Sequence, residues 1–115
     1  MTAGRDAASP ARSLKEQRRF RRELFGKSLF DGPAWDILLE LHIAAAEGRL
    51  VSLDELYRDS TVLPSTGGRW VKALQIEGLV ARGSEFRIGV DFVRLTVKGH
   101  AAMNRYFERV FPGCI

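Results

Sequence analysis

The stretch LPSTGGRWVKALQIEGLVAR, residues 63–82, offers the clearest candidates for a binding role in this sequence. It places Ser65, Thr66, Gly67, Gly68 and Arg69 in succession, a mixture of hydroxyl groups, glycine backbone and one cation. A phosphate-binding loop of the P-loop type needs a preceding apolar strand and a Gly-Lys-Ser/Thr ending, and both are missing here. The remaining interpretations are an ordinary core helix and a helix whose first turn approaches something closely.

The two sides of this predicted helix, about residues 64–77, differ in chemistry. Trp70, Val71 and Leu74 share one face at helical spacing, as expected for packing against a core. The opposite face is polar and holds Ser65, Thr66, Arg69, Lys72 and Gln75. A plain core helix does not explain that polar row. The two glycines fit a close approach of the backbone to DNA or to the preceding helix, and simple tolerance of a weak first turn is the other interpretation.

The rest of the chain supplies the elements around this helix. Residues 1–9 are small and polar and are predicted to be disordered, so that the domain covers residues 10–115. Ser9 and Pro10 are typical of a helix start, and a helix is predicted from there to about Leu24. Further helices are predicted over 33–47, 53–60 and 97–111, a short strand over 49–52, and a hairpin with strands at 79–82 and 92–96 and a tip at 83–91.

The most strongly helical stretch is PAWDILLELHIAAAEG, which is predicted to be the central core helix. Its apolar face is predicted to hold Trp35, Leu38, Leu41, His42 and Ala45. His42 is interpreted as a hydrogen-bonded, partly buried histidine rather than a metal ligand, because no second ligand follows four residues later. Capping residues mark the neighbouring boundaries: Gly48, the pair Ser52 and Glu55, Gly78, and Thr96.

A short helix, a turn, a second helix with a polar outer face and a β-hairpin form the order of a winged helix-turn-helix. The segments Leu74-x-x-x-Gly78-Leu79-Val80-x-Arg82 and Val93-x-Leu95-Thr96-x-x-Gly99 resemble the MarR-type winged helix-turn-helix regulators of bacteria. The resemblance covers about residues 33–107. It implies a mainly α fold with a small β-hairpin wing (α+β). It also implies a transcription regulator that binds double-stranded DNA as a homodimer, in which the N- and C-terminal helices join the two subunits. It also implies a small-molecule effector, for which the sequence identifies no residue.

In this arrangement the second helix enters the major groove with its N-terminal residues nearest the bases. Ser65 and Thr66 are then expected to contact phosphate or base edges, Arg69 a guanine and Lys72 a phosphate, with Gly67 and Gly68 allowing close approach. The wing tip of the resembling family is basic. Here residues 84–91 hold one arginine, Arg87, and two acids, so Arg87 is the only cationic candidate for the minor groove at this tip.

The positive charge of the chain, +4 at neutral pH, lies in its first 24 residues, which hold seven basic and three acidic side chains. The remaining residues are neutral overall. A localised basic segment indicates an acidic partner such as nucleic acid, or else a solvated helix face. Arg18, Arg19 and Arg22 are therefore further candidates for DNA contact, and packing of this helix against the partner subunit is the alternative.

Other functional classes find less support in the sequence. The alternative is a winged-helix module that binds protein without DNA, favoured by the neutral body and the apolar wing residues Phe86, Ile88, Val90 and Phe92. His42 and His100 are isolated and Cys114 is the only cysteine, so we expect no enzyme activity, cofactor, metal site or internal disulfide. No apolar run of about 18 residues and no secretory h-region occurs, so we expect a cytoplasmic, nucleoid-associated protein without a membrane span.

Overall fold

The computed structural model describes residues 3–26, 32–59, 64–85 and 89–113. Those residues form a mainly helical fold with one small antiparallel sheet, in which the strand order is β1-β3-β2. The elements are α1 (Ala3–Phe25), α2 (Gly32–Ala46), β1 (Val51–Ser52), α3 (Leu53–Asp59), α4 (Pro64–Ile76), β2 (Val80–Glu85), β3 (Val90–Leu95) and α5 (Val97–Val110). The predicted fold class, a mainly α winged helix-turn-helix with a β-hairpin wing, is confirmed.

The first helix begins earlier than the sequence suggested. Residues 3–9 are helical, so the predicted start at Pro10 was wrong, and Pro10 lies inside α1. Proline lacks the N–H that would bond to the carbonyl four residues before it, which is why it is read as a helix start. Seven small or polar residues before it nevertheless continue the same helix.

The central helix α2 buries a face shifted by one residue from the predicted one. Of the five predicted positions, Leu38 and Leu41 are buried, Trp35 and His42 are half-buried and Ala45 is exposed. The buried set is Ala34, Ile37, Leu38, Leu41 and Ala44. Because α2 packs against α4, α5 and β3, neighbours on several sides decide which positions are covered. Periodicity alone does not determine this.

Most of the predicted helix boundaries are confirmed by their hydrogen bonds. The backbone N–H of Glu55 donates to the Ser52 hydroxyl at 3.1 Å, which caps the start of α3. The N–H of Leu79 donates to the carbonyl of Leu74 at 3.0 Å, which closes the end of α4 around Gly78. The N–H of Gly99 donates to the Thr96 hydroxyl at 3.0 Å at the start of α5.

The hairpin strands are longer than predicted. β2 and β3 pair from Val80 opposite Leu95 to Glu85 opposite Val90, so the connection between them is shorter than the predicted tip at 83–91. The short strand β1 adds Val51 opposite Val93 on the other edge of β3. Residues 83–91 were predicted to form the tip because of Gly83 and Gly89, but pairing between the two strands overrides this local preference.

Helix α5 crosses the start of the hairpin at very short range. The hydroxyl of Thr96 donates to the carbonyl of Gly78 at 2.6 Å, and the N–H of Thr96 donates to the carbonyl of Leu79 at 3.0 Å. A Cβ atom at Gly99 would overlap the carbonyl oxygen of Leu79. Only glycine therefore fits at residue 99, which explains why a glycine stands four residues after the end of β3.

Aromatic rings attach α1 to the rest of the domain. The ring of Tyr106 on α5 lies 4.8 Å from that of Trp35 and 6.3 Å from that of Phe20, measured between centroids. Phe25 at the end of α1 is buried and lies 5.7 Å from Trp35. The guanidinium carbon of Arg21 lies 4.5 Å from the Trp35 ring centroid.

Within the described ranges, no helix is long and apolar enough to cross a membrane.

Candidate nucleic-acid interface

Helix α4 is held in place by its apolar face. Val71 and Leu74 are buried in the core and Trp70 is half-buried, as predicted for this face. α4 packs against α2 and β2, so its inner side is covered by the body of the domain. Burying a Val or Leu side chain contributes about 1.5–3 kcal/mol each, enough to fix the rotation of a 13-residue helix about its axis.

The outer face of α4 presents two cations to solvent. Arg69 and Lys72 are exposed, and between described residues neither has an ion-pair partner. They stand three residues apart, so they lie next to each other on the same side of the helix. α4 begins at Pro64 and has no acidic residue in its first turn, so no carboxylate of its own first turn neutralises its free N–H groups or the positive end of its dipole.

The two glycines of α4 have different surroundings. Gly67 is buried, and a Cβ atom there would lie 2.8 Å from ring atoms Cδ1 and Cε1 of Tyr57 on α3. Gly68 is half-buried, and its Cβ would lie 3.6 Å from the Tyr57 hydroxyl, an ordinary contact. Of the two close approaches considered for these glycines, the structure therefore shows the one to the preceding helix, and it shows it at Gly67.

Ser65 and Thr66 belong to the first turn of α4 through their backbone. Their side chains lie outside the part of the chain that the structure describes, so the predicted contacts of these hydroxyl groups stay predictions. Arg87, the predicted cation of the wing tip, also lies outside the described residues, as do Phe86 and Ile88. Cys114 does too.

The described part of the wing contains an ion pair that the sequence analysis did not identify. Arg82 on β2 lies with its Nη2 atom 3.5 Å from Oδ2 of Asp91 on β3. The hydroxyl of Ser84 donates to Oδ1 of the same carboxylate at 2.6 Å. The pairing of Arg82 with Val93 and of Ser84 with Asp91 puts these side chains on one face of the hairpin, a relation visible only once the strand register is known.

Helix α1 carries the second group of predicted cations. Arg18, Arg19 and Arg22 are exposed, and together with Arg12, Lys15 and Glu16 they line one open groove of about 430 Å³. The structure therefore places the three arginines in one region of α1. α1 packs against α5, whereas α4 packs against α2 and β2, so the cations of the two helices stand on different elements.

The histidines form a separate feature between α2 and α5. The His42 ring lies 4.7 Å from the Phe107 ring, and its Nδ1 atom is buried without a hydrogen-bond partner among the described residues. The prediction of a hydrogen-bonded His42 was therefore wrong at this atom. The pKa of His42 is lowered mainly by burial and to a smaller extent by the nearby charge of His100. No cluster of three or more potential metal ligands occurs among the described residues.

The fold of this chain is similar to that of several solved structures. Apo MarR from E. coli superposes with a TM-score of 0.63 at 18% identity, covering 97% of this chain and 78% of that one. A mutant of S. aureus MepR gives 0.68 at 12% identity, covering 95% and 77%. The chain has the fold of the MarR-type winged helix regulators. No protein-family model and no curated protein matches the sequence.

Two further MarR-type structures bear on ligands. A cysteine-to-serine mutant of E. coli MarR, complexed with operator DNA, superposes with a TM-score of 0.64 at 18% identity, covering 91% of this chain and 73% of that one. BpsR of Bordetella bronchiseptica, whose DNA binding is regulated by 6-hydroxynicotinic acid, gives 0.53 at 16% identity, covering 95% and 82%. These neighbours of the MarR-type fold are DNA-binding regulators.

Proposed function

We propose that this protein is a transcription regulator that binds double-stranded DNA as a homodimer and inserts α4 into the major groove. The observation that carries the proposal is the pair of exposed cations Arg69 and Lys72, which have no ion-pair partner among the described residues and lie on the outer face of a helix whose inner face packs in the core. A rigid helix with a basic outer face, followed by a hairpin, is the arrangement that reads the major groove in helix-turn-helix proteins.

The proposed contacts follow from the positions along α4. Arg69, near the N-terminus of the helix, donates a bidentate hydrogen bond to the O6 and N7 atoms of a guanine. Lys72, one turn further, contacts a phosphate and contributes affinity without sequence preference. Ser65, Thr66 and the Gly68 backbone lie in or next to the first turn, where free N–H groups favour phosphate. Gly67 is left out because it is buried against Tyr57.

The wing plays a limited part in this proposal. Asp91 neutralises Arg82, so the described strands offer Arg94 as an exposed cation that is not held by a carboxylate of a described residue. Arg87 remains the proposed minor-groove cation of the tip. We expect less affinity from the wing than from α4, because a paired arginine must give up its carboxylate before it neutralises a phosphate.

The homodimer is proposed to form through α1 and α5. Leu14 on α1 is 65% exposed and Phe111 just beyond α5 is 52% exposed, so both terminal helices present apolar surface beyond the body of the domain. Large exposed apolar side chains are typical of surfaces that another chain covers. A two-fold dimer would place two copies of α4 at half-sites about one helical turn of DNA apart.

We also propose that a small molecule regulates this protein and that it acts in the cytoplasm. The effector dependence of BpsR supports a small-molecule effector for this protein, though no described residue is assigned to it. A DNA-binding regulator without enzymatic activity would act in the cytoplasm, at the nucleoid.

A second candidate function is binding of a protein at the wing. Leu50 and Phe92 line a groove of about 220 Å³ on the sheet, with Gly83, Ser84 and Arg94 around it. Leu50 is 63% exposed. This surface would suit an apolar side chain of a partner protein. The polar outer face of α4 has no role in that function, which is why DNA binding is favoured.

Fluorescence anisotropy with a labelled random duplex of about 30 base pairs, roughly three helical turns, tests the proposal. The full chain is titrated at 50 and 200 mM salt, beside the variant R69A/K72A and a control, R49Q/R105Q, that removes the same charge elsewhere. We expect salt-dependent binding that R69A/K72A weakens more than the control. Absence of binding at 50 mM salt would reject DNA as the partner and turn attention to the groove at Leu50 and Phe92.

A further inference from the structure

The groove along α1 has an unusual lining. All six described residues that line its volume of about 430 Å³ come from one helix, and five of them are cations. Glu16 is the one acid among them. Between described residues, none of Arg12, Lys15, Arg18 and Arg19 is paired with a carboxylate. A dense row of like charges costs free energy in the isolated molecule, and one acid among five cations offsets only part of that cost, so the row favours an anionic partner.

The cations lie on the side of α1 that faces away from the domain. Gln17, Phe20, Arg21, Leu24 and Phe25 are the covered residues of its C-terminal half. At 3.6 residues per turn, the row Arg12, Lys15, Arg19 and Arg22 falls on roughly the opposite side of the helix. We call this row the basic stripe. Packing of α1 on α5 therefore leaves the stripe uncovered, and an apolar contact with a second subunit would use the other face.

The dimensions and charge of the stripe suit a nucleic-acid backbone. Its steps of three and four residues span about 15 Å along the helix axis, at about 1.5 Å per residue. DNA presents one phosphate per about 3.4 Å of axis on each strand, so the stripe matches about four phosphates of one strand. A second copy of this chain would bring the same stripe and a body without net charge. It offers no complementary charge.

We propose that the basic stripe of α1 is a second DNA-binding surface, which holds the phosphate backbone independently of α4 and without sequence preference. The proposal rests on the proposed function, since it adds a contact surface to a DNA-binding protein. It assigns Arg12 and Lys15 to DNA binding beside Arg19 and Arg22. α1 and α4 pack against different elements of the domain, so each surface binds DNA when the other is disabled.

The test compares K15Q/R19Q with R49Q/R105Q in the full chain. Both variants remove two exposed positive charges, the first from the stripe and the second from the turn after α2 and from α5. Each phosphate contact contributes a slope of about 0.9 to the salt dependence. When the salt is raised from 50 to 200 mM, the fold-loss of affinity for a random duplex should therefore be about ten times smaller in K15Q/R19Q than in wild type. The fold-loss in R49Q/R105Q should equal that of wild type.

The same substitutions are then combined with R69A/K72A. If the stripe acts alone, R69A/K72A retains salt-dependent binding and R69A/K72A/K15Q/R19Q loses it. Equal salt slopes for K15Q/R19Q and R49Q/R105Q would overturn the stripe proposal while leaving DNA binding by α4 intact. A change of sedimentation coefficient in K15Q/R19Q without DNA would also overturn it, because the stripe would then belong to a subunit interface. Absence of duplex binding by wild type would overturn both proposals.

Discussion

Gly67 on α4 lies against the ring of Tyr57 on α3, so closely that a Cβ at residue 67 would be 2.8 Å from two ring carbons. This contact sets the distance between the two helices of the helix-turn-helix. Tyr57 is half-buried and packs against the core, so the ring has little freedom to turn aside. The N-terminal half of α4, which carries the proposed phosphate contacts and the proposed base contact of Arg69, is therefore positioned by a contact in which one partner has no side chain.

Replacement of Gly67 by alanine should destabilise the domain even though alanine favours helices. The substitution gains about 1 kcal/mol of helix propensity. Forcing a methyl group into a packed contact costs about 1–3 kcal/mol, so the clash with Tyr57 should prevail. Urea unfolding followed by circular dichroism would measure the change in the free energy of unfolding, and DNA affinity should fall with it as α4 is displaced.

Gly68 provides the matched control, because its Cβ would meet only the Tyr57 hydroxyl at 3.6 Å. G68A should be neutral or stabilise the domain by up to about 1 kcal/mol. If G67A stabilised the domain as much as G68A, Gly67 would be no more than a tolerated weak position. The double variant Y57L/G67A should recover part of the loss, since removal of the phenol ring frees the space.

Alanine at Gly99 should be more damaging than alanine at any other described glycine. Here the obstacle is a backbone atom, the carbonyl oxygen of Leu79, which cannot rotate away as a side chain can. The start of α5 must move from the hairpin, with the loss of the Thr96 bonds to Gly78 and Leu79. We expect a loss of about 1–3 kcal/mol or more in unfolding free energy.

Gly83 on β2 serves as the control for that substitution, since nothing lies within 4 Å of its added Cβ. G83A should stabilise the strand by about 0.5–1 kcal/mol, through the lower entropy of the unfolded chain. Thermal unfolding of the two variants side by side would reveal the contrast. Equal melting temperatures would refute the close packing of α5 on the hairpin.

Stability should depend on pH through His42. Burial lowers its pKa in the folded chain from the unfolded value of about 6.5, so the unfolded chain binds more protons as the pH falls. The stabilisation is fully present above pH 6.5 and is lost as the pH falls through that value towards the folded pKa. The difference in unfolding free energy between wild type and H42Q, measured from pH 7.5 to 5.5, should therefore shift in favour of H42Q at low pH.

His100 separates the two causes of that shift. Burial is the larger cause and the charge of His100 the smaller, so H100Q should retain most of the pH dependence. If H100Q removed the dependence as fully as H42Q does, charge repulsion and not burial would govern this histidine.

Local sequence signals were sufficient for much of the fold. The Ser52 cap, the Thr96 cap and the end of α4 at Gly78 depend on residues within a few positions of each other, and all three are confirmed. The division of α4 into a buried apolar face and an exposed polar face was also predictable, because burial of Val71 and Leu74 determines which side faces solvent. Element order then indicated the winged arrangement, since few folds share that order.

Apart from the start of α1 at Pro10, which a local proline signal misplaced, what the sequence did not predict depends on contacts between segments that are distant in the chain. Pairing with β3 extended β2 through Gly83 to Glu85, although this stretch has weak strand preference. Tyr57 contacts Gly67, 10 positions away, and Leu79 contacts Gly99, 20 positions away. The spacing of apolar residues along the chain does not predict contacts of this kind. The ion pair of Arg82 with Asp91 likewise depends on the register of the hairpin.

Loss of Leu14 should weaken self-association without harming the fold. Leu14 continues the covered face of α1 beyond the body of the domain, in steps of three and four residues through Gln17 and Arg21, and it is 65% exposed. L14S should shift the sedimentation coefficient towards the monomer at micromolar concentration while leaving the helical circular dichroism signal unchanged. I76S removes an even more exposed apolar side chain from α4 and should leave the association state as it was.

Replacement of Arg69 by alanine should change the sequence preference of DNA binding, whereas replacement of Lys72 should lower the affinity without changing that preference. A bidentate arginine to guanine contact contributes about 1–3 kcal/mol of discrimination, so R69A should bind its selected sequence about 5- to 150-fold more weakly and accept other bases at that position. Lys72 is assigned to a phosphate, so K72A should weaken binding equally on all duplexes and reduce the salt slope by about 1.

Selection of duplexes from a random library by wild type, followed by competition against single-base variants, gives the sequence preference that this comparison needs. The two cations stand three residues apart on the same exposed face, so they differ in distance from the helix N-terminus and in the bidentate geometry that only the guanidinium of Arg69 offers. If R69A kept the wild-type preference and K72A lost it, the base contact would lie one turn further along α4, and the helix would enter the groove more deeply than proposed. If neither changed preference or affinity, α4 would not be the DNA-reading helix.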